Sequence, residues 1–235
     1  MVKILDCTTR DGGHTTNWCF GSNFIVELVE KLNSHGVSYY EVGYRNHYDS
    51  TGKGEYYNCT PNFLKSIYET KRNLQIGVMI DFKRGSLEDF PGIEKDYIDF
   101  VRIATHPETI SKTLDVAKDL FDKGYKVFVQ LMDVTNIDYY GYINLYKWEH
   151  KDILESLYIA DSYGVMQPDD IKLYFDKLKA LGYKKISFHA HNNKGLAILN
   201  SVEAIKCGAY SVDTTLGGIG RCGGNADFEE LIAKI

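Results

Sequence analysis

His189 and His191 stand two positions apart in the stretch Ser187-Phe188-His189-Ala190-His191-Asn192. The preceding run Lys185-Ile186-Ser187-Phe188 favours an extended strand, where side chains alternate between faces, so both imidazoles project to one side. Such a pair is either a chelate for a divalent metal or two polar residues on a half-buried strand. A metal requires more than two ligands, so further donors must arrive from other segments. Asp11, in Thr8-Thr9-Arg10-Asp11-Gly12-Gly13-His14, offers a carboxylate, and Asn225 offers an amide oxygen. Taken singly, Asp11 reads as a cap or turn residue before the glycines, and Asn225 as the N-cap of a last helix. Taken together, two nitrogens and two oxygens, with room for water or substrate, suit Mn²⁺ or Mg²⁺ in octahedral geometry, with Zn²⁺ or Co²⁺ as further fits.

These donors are far apart in sequence, and the elements between them must bring them together. Apolar runs predict strands at Val2 to Cys7, Tyr39 to Val42, Leu74 to Ile80, Phe100 to Ile103, Val127 to Leu131, Leu157 to Ala160, the histidine-bearing stretch, and Tyr210 to Thr214. Helical spacing, with Pro at first turns and Gly at ends, predicts helices from Phe24 to Gly36, Pro61 to Arg72, about Leu87 to Glu94, and Pro107 to Gly124. It continues with a loop and one helix within Val134 to Leu154, then Pro168 to Gly182, Gly195 to Lys206, and a short helix from Asp227. Strict alternation implies parallel strands with right-handed crossovers, in an open doubly wound sheet or a closed barrel. Eight units favour an α/β fold of the (β/α)8 TIM-barrel type, one domain over residues 1–235.

A barrel places its chemistry in the loops after the carboxyl ends of the strands. The polar clusters fall at those positions: Thr8 to His14, Tyr44-Arg45-Asn46-His47, Asp81-Phe82-Lys83, Asp133, Asp161-Ser162, His189 to His191, and Gly217 to Asn225. Strand one lies beside strand eight and near strand seven in a closed ring, so Asp11, His189, His191 and Asn225 are expected at one axial pocket.

The net charge of -5 gives no basic footprint, which disfavours nucleic acid and anionic membranes as partners. Asp6 arrives too early for a signal peptide's apolar region, no run approaches transmembrane length, and five scattered cysteines form no C-x-x-C pair. A cytoplasmic protein with reduced thiols is the expectation.

Five stretches resemble the metal-dependent lyase and aldolase barrels, the HMG-CoA lyase-like or DRE-TIM metallolyase family. They are Thr9-Arg10-Asp11-Gly12, Glu41-Val42-Gly43, Ala160-Asp161-Ser162-Tyr163-Gly164, His189-Ala190-His191-Asn192 and Gly218-Ile219-Gly220-Arg221-Cys222-Gly223-Gly224-Asn225. That family includes 4-hydroxy-2-oxovalerate aldolase, 3-hydroxy-3-methylglutaryl-CoA lyase and isopropylmalate synthase, and the similarity runs through nearly the whole chain in order. It implies that Asp11, His189 and His191 bind a divalent metal, Mn²⁺ first, with Asn225 as a fourth ligand, and that Arg10 stabilises an enolate.

His14 lies where the 4-hydroxy-2-oxoacid aldolases of the family carry their general base, which implies an aldolase that makes or cleaves a 4-hydroxy-2-oxoacid through pyruvate and an aldehyde. A neutral imidazole titrates near working pH and can take a hydroxyl proton. The alternatives are a Claisen-type acyl-CoA synthase or CoA-ester lyase, and a binding or assembly barrel without turnover. Asp161 and Ser162 are expected to orient ligands or the substrate carboxylate. Tyr44 and Arg45 open a polar loop through Tyr56 and Tyr57 expected to cover the pocket mouth, with Arg45 meeting an acidic or phosphorylated tail, a role open also to Lys83 and Arg84. Cys222 is either an acid in a lid or a small loop residue, and Arg221 with its glycines could cradle a phosphate. The bacterial aldolases of the family continue into a helical domain that docks an aldehyde dehydrogenase. This sequence ends at Ile235, so that partnership is not implied, and a subunit contact over the short last helix would make a homo-oligomer.

Overall fold

The computed structural model describes residues 2–45, 51–81 and 85–235. Eight parallel strands close into a barrel in sequence order: β1 (Lys3–Asp6), β2 (Tyr39–Tyr44), β3 (Gln75–Asp81), β4 (Phe100–Thr105), β5 (Lys126–Leu131), β6 (Leu154–Asp161), β7 (Ile186–Ala190) and β8 (Ser211–Thr214). The ring closes by β1 pairing with β8, Leu5 opposite Asp213 and Asp6 opposite Thr214. This is the (β/α)8 TIM barrel that the alternation predicts. No helix among the described residues is long and apolar enough to cross a membrane.

The outer helices are α1 (Thr8–Thr16), α2 (Ser22–Ser34), α3 (Pro61–Tyr68), α4 (Ile110–Asp122), α5 (Tyr139–Lys147), α6 (Pro168–Ala180), α7 (Ala197–Lys206) and α8 (Phe228–Ile232). Two departures from the sequence-based expectation stand out. The Thr8 to His14 cluster is not a loop but most of α1. The expected helix over Leu87 to Glu94 is two short 3-10 turns, Leu87–Asp89 and Ile93–Lys95. Pro91 lacks an amide hydrogen and Gly92 takes a φ of 109°, so a continuous helix cannot pass between them. Ser86 caps the first turn, and Lys123 Nζ donates to the Leu87 and Phe90 carbonyls at 2.9 and 2.8 Å.

α1 forms against local propensity, because Gly12 and Gly13 each disfavour a helix. Tertiary contacts hold it. Thr9 Oγ1 donates to the Val42 carbonyl at 2.6 Å, and Trp18 Nε1 donates to the Arg10 carbonyl at 3.0 Å. The glycines admit close neighbours: a Cβ at Gly12 would lie 2.4 Å from Ile219 Cδ1, and one at Gly13 2.1 Å from Trp18 Cδ1.

Most apolar side chains pack between the strands and the helices. Inside the barrel a second, smaller core of Leu5, Tyr39, Phe100, Phe128 and Tyr158 fills the lower half, with Cys7, two residues past Leu5, on top of it beside His189 and Asp213. Two residues further along the strands come Glu41, Arg102, His189 and Asp213, all buried. The interior therefore passes from an aromatic floor to a charged layer just beneath the carboxyl-end mouth.

Candidate metal centre and active site

α1 presents Arg10 and Asp11 to the axis, while β7 presents His189 and the residue just past its end, His191. One ligand atom each from Asp11, His189 and His191 lie within 4.8 Å of one another, and all three residues are buried. His191 also bridges to Asn225 just before α8, which carries the Asn225 amide to the same spot. Asn225 Nδ2 donates to Asp11 Oδ2 at 2.5 Å and to the Ile219 carbonyl at 3.0 Å.

Hydrogen bonds fix which donor atoms remain for a ligand. His189 Nδ1 meets Asp213 Oδ2 at 2.8 Å, and His191 Nδ1 meets the Gly224 carbonyl at 3.2 Å. Both acceptors select the tautomer with hydrogen on Nδ1, which turns each Nε2 lone pair outward, the arrangement typical of metal-ligating histidines. His189 Nε2 and Asn225 Oδ1 are buried with no hydrogen-bond partner in the protein. Orphaned acceptors of this kind are costly unless something binds them, so the donor set fits a divalent cation. His191 Nε2 accepts from Arg221 Nε at 3.2 Å.

The electrostatics suit the same purpose. Burial pushes the Asp11 carboxyl up, but the Arg10 guanidinium above all, with the Asn225 amide bonded to it, outweighs burial and holds it well below the usual carboxylate range. Burial, then the neighbouring His189, lowers His191 to about 3, so its imidazole is neutral at physiological pH. Arg10 is fixed between two carboxylates, Nε on Glu41 Oε1 at 2.5 Å and Nη1 on Asp11 Oδ1 at 2.7 Å, which leaves Nη2 buried and unpartnered.

These groups open onto a cavity of about 280 Å³ lined by Arg10, Asp11, His14, Tyr44, His189 and Arg221 on one side. Met79, Asp81, Ala104, His106, Gln130 and Met132 line the other. His14 lies in the last turn of α1, its ring edge-on to Trp18 at 4.7 Å and its Nε2 3.4 Å from the Tyr44 hydroxyl. A larger groove of about 640 Å³ runs outside the barrel between α2 and α3 and contains none of these donors.

Residues 98–235 match the profile of the family described as HMGL-like. The chain belongs to the HMGL-like family. It is 31% identical over 243 residues to the 4-hydroxy-2-oxovalerate aldolase of Carboxydothermus hydrogenoformans, covering 100% of this chain and 70% of that one. It is 26% identical to the oxaloacetate decarboxylase of Mycobacterium tuberculosis over 99% of this chain and 69% of that one. The solved N-terminal domain of a candidate aldolase from Bacteroides vulgatus superposes with a TM-score of 0.88 at 29% identity, covering 99% and 79%. The HMGL-like chain is thus an enzyme of carbon–carbon lyase type.

Of the residues singled out from sequence, Arg10, Asp11, His14, Tyr44, His189 and Arg221 share the HMGL-like cavity, and His191 and Asn225 complete its donor cluster. Arg45 does not join them. It is buried outside the barrel, paired through Nη1 and Nη2 with Asp96 at 2.6 and 3.0 Å and stacked over Phe90 at 4.8 Å. A shift in pairing register between Glu41 and Gly43 accompanies this turn-out, so Arg45 holds the β3–β4 segment rather than a substrate tail. Asp161 accepts from the Val165 and Met166 amides at 3.0 and 3.1 Å, and Ser162 from the Asp133 amide at 2.9 Å. Both brace loops beside the mouth and neither lines the cavity. Cys222 is exposed, at a left-handed φ of 56°, on the rim. Asn46, His47, Tyr48, Lys83 and Arg84 lie outside the described residues.

Sequence reasoning missed Arg102 and Asp213, and it assigned no role to Glu41. Arg102 donates to Glu41 Oε2 at 2.6 Å and to Asp213 Oδ2 at 2.5 Å, linking the Arg10 anchor to the His189 anchor. It also missed Gln130. The one available signal was a charged or amide residue inside an otherwise apolar strand run.

Proposed function

We propose that this chain is a divalent-metal-dependent aldolase that cleaves or forms a 4-hydroxy-2-oxoacid, with pyruvate and an aldehyde as the other partners. The observation that carries the reading is the combination, on one cavity, of the Asp11, His189, His191 cluster with the His14 imidazole on its rim. Asp11, His189 Nε2, the Asn225 amide oxygen and His191 Nε2, once it is released from the Arg221 Nε that it now accepts from, would hold the ion, Mn²⁺ being the first expectation. A bound divalent ion supplies Lewis acidity and a template for the 2-oxo and carboxylate oxygens of the substrate.

The protein's own residues then do the rest. His14 takes the proton of the 4-hydroxyl as the C3–C4 bond breaks, and the Tyr44 hydroxyl beside it orients the ring. The electron pair moves to C3, and the developing enolate charge falls to Arg10, whose free Nη2 is aimed by its two carboxylate partners. Arg10 costs no reorganisation at that moment because Glu41 and Asp11 already fix it. The C3 position is reprotonated to give pyruvate. In a Claisen-type synthase of the same family, CoA would be released from an acyl-CoA and a 2-oxoacid; the imidazole at residue 14 favours the aldol reading over it.

The test is pyruvate release from a panel of 4-hydroxy-2-oxoacids with Mn²⁺ present. His14→Ala should lower turnover by roughly 10² to 10⁴ while leaving Mn²⁺ affinity in place. Asp11→Ala should abolish Mn²⁺ binding in a titration of the free ion. An Asp11→Ala protein that binds Mn²⁺ as wild type does would remove the metal reading, and CoA release without pyruvate release would transfer the chain to the synthases.

A further inference from the structure

The cavity has two halves with different chemistry. Because the strands run in sequence order around the ring, β4 stands across from β8, and the ends of β3, β4 and β5 face the donor cluster. A 2-oxoacid head held at Asp11, His189 and His191 extends its remaining carbons towards that opposite wall. Met79, Ala104 and Met132 make the wall partly apolar, but Gln130 is set among them.

Gln130 is 1% exposed, and its Oε1 has no hydrogen-bond partner in the protein. Its Nε2 donates to the thioether of Met132 at 3.2 Å, a weak acceptor. A buried amide so poorly satisfied, lining a ligand cavity, is a recognition group awaiting its partner. Its oxygen asks for a donor and its nitrogen for a better acceptor, and a single hydroxyl supplies both. An anionic tail fits less well, because the cationic lining residues among those described, Arg10 and Arg221, stand on the donor-cluster side.

We infer that the aldehyde half of the substrate bears a hydroxyl read by Gln130, which makes the substrate class hydroxyaldehyde-derived 2-oxoacids rather than simple alkyl ones. The inference rests on the aldolase reading for the orientation of the substrate head. The chemistry is unchanged and redox neutral: the C3–C4 bond breaks, and the products are pyruvate and a hydroxyaldehyde. A site built to bond a substrate hydroxyl discriminates strongly against the analogue that lacks it, because its own polar group is then left unpaired.

The test separates binding from turnover. The Mn²⁺-loaded protein is titrated calorimetrically with 5-hydroxy-2-oxopentanoate and with 2-oxopentanoate, each counted as its open-chain keto form. Neither has a 4-hydroxyl, so neither can be cleaved. The hydroxylated ligand should bind at least fivefold tighter, and Gln130→Leu should bring the ratio to within about twofold. In turnover, pyruvate release from the 4,5-dihydroxy acid should exceed that from its 4-hydroxy analogue at least tenfold in kcat/KM. Equal binding of the two ligands by wild type, no binding of either, or a ratio untouched by Gln130→Leu overturns the inference. A binding preference that persists while neither aldol substrate is turned over leaves the hydroxyl subsite standing and defeats the aldolase reading.

Discussion

Asp6 shows how a single carboxyl can be tuned without being catalytic. Burial pushes its pKa from 3.8 up to about 7, with Asp213 and Glu41 adding repulsion, although the Thr8 amide and hydroxyl oppose the rise at 3.0 and 2.8 Å. A raised pKa means that the folded state prefers the protonated acid. The stability this group confers is full below its ordinary value and is lost as pH climbs through about 7, a linkage of about 4 kcal/mol. Asn reproduces the protonated form, since its oxygen can accept from the Thr8 amide and its nitrogen can donate to Thr8 Oγ1. Asp6→Asn should therefore match wild type near pH 4 and exceed it by one to a few kcal/mol at pH 8, measured by urea unfolding at both pH values. A variant no more stable than wild type at pH 8 would refute a neutral Asp6. At this scale the sequence was legible where spacing itself carries chemistry, as in His189 and His191. It was opaque where a residue's meaning lies in its partner: Arg102 reaches Glu41 across 61 positions and Asp213 across 111, and nothing local marks either pairing.

Among the elements, the glycine-rich segment after β8 shows how backbone proximity builds a site. A Cβ on Gly220 would stand 2.0 Å from Asn225 Nδ2 and 2.6 Å from Asp11 Oδ2, so the bare Cα is what lets the amide reach the carboxylate. Gly220→Ala should push Asn225 off Asp11 and weaken Mn²⁺ binding at least tenfold, read from free-ion titration, while far-ultraviolet circular dichroism stays that of wild type. Wild-type affinity in that variant would show that Asn225 is not needed at the centre. α1 teaches the complementary lesson. Gly12-Gly13 suggested a turn from sequence, yet Ile219 and Trp18 need the space those glycines leave, and packing overrides propensity to make a helix. The short turns after β3 are the opposite case, where local chain chemistry, Pro91 followed by Gly92, decides the outcome.

At the scale of the whole molecule, the barrel was readable because strand and helix periodicities recur eight times, and closure then dictated that distant donors converge. What periodicity could not convey is the charged layer that crosses the interior from β2 through β4 to β8. Arg102 is fully buried there, with Nε and Nη2 on Glu41, Nη1 on Asp213 at 2.5 Å, and its guanidinium over the Tyr158 ring at 4.8 Å. Burial alone would push the Asp213 carboxyl up, but Arg102 and then His189 outweigh it and lower its pKa. Asp213 thus adds stability above its ordinary value and loses it as pH falls through the acid range. Removing the cation leaves two buried carboxylates under-compensated, Glu41 with Arg10 alone and Asp213 with His189 alone, and breaking a buried ion pair typically costs about 3–5 kcal/mol. Arg102→Met, close to Arg in length and apolar, should therefore lower the unfolding free energy by about that amount at pH 7. The deficit should shrink towards pH 4, because Asp213 without Arg102 loses the pull that lowers its pKa and is relieved by protonation in the variant, whereas in wild type its lowered pKa keeps it ionised there. Urea denaturation at the two pH values measures both quantities. A deficit below about 1 kcal/mol at pH 7, or one that grows on acidification, would mean that the layer does not tie the far sides of the barrel together.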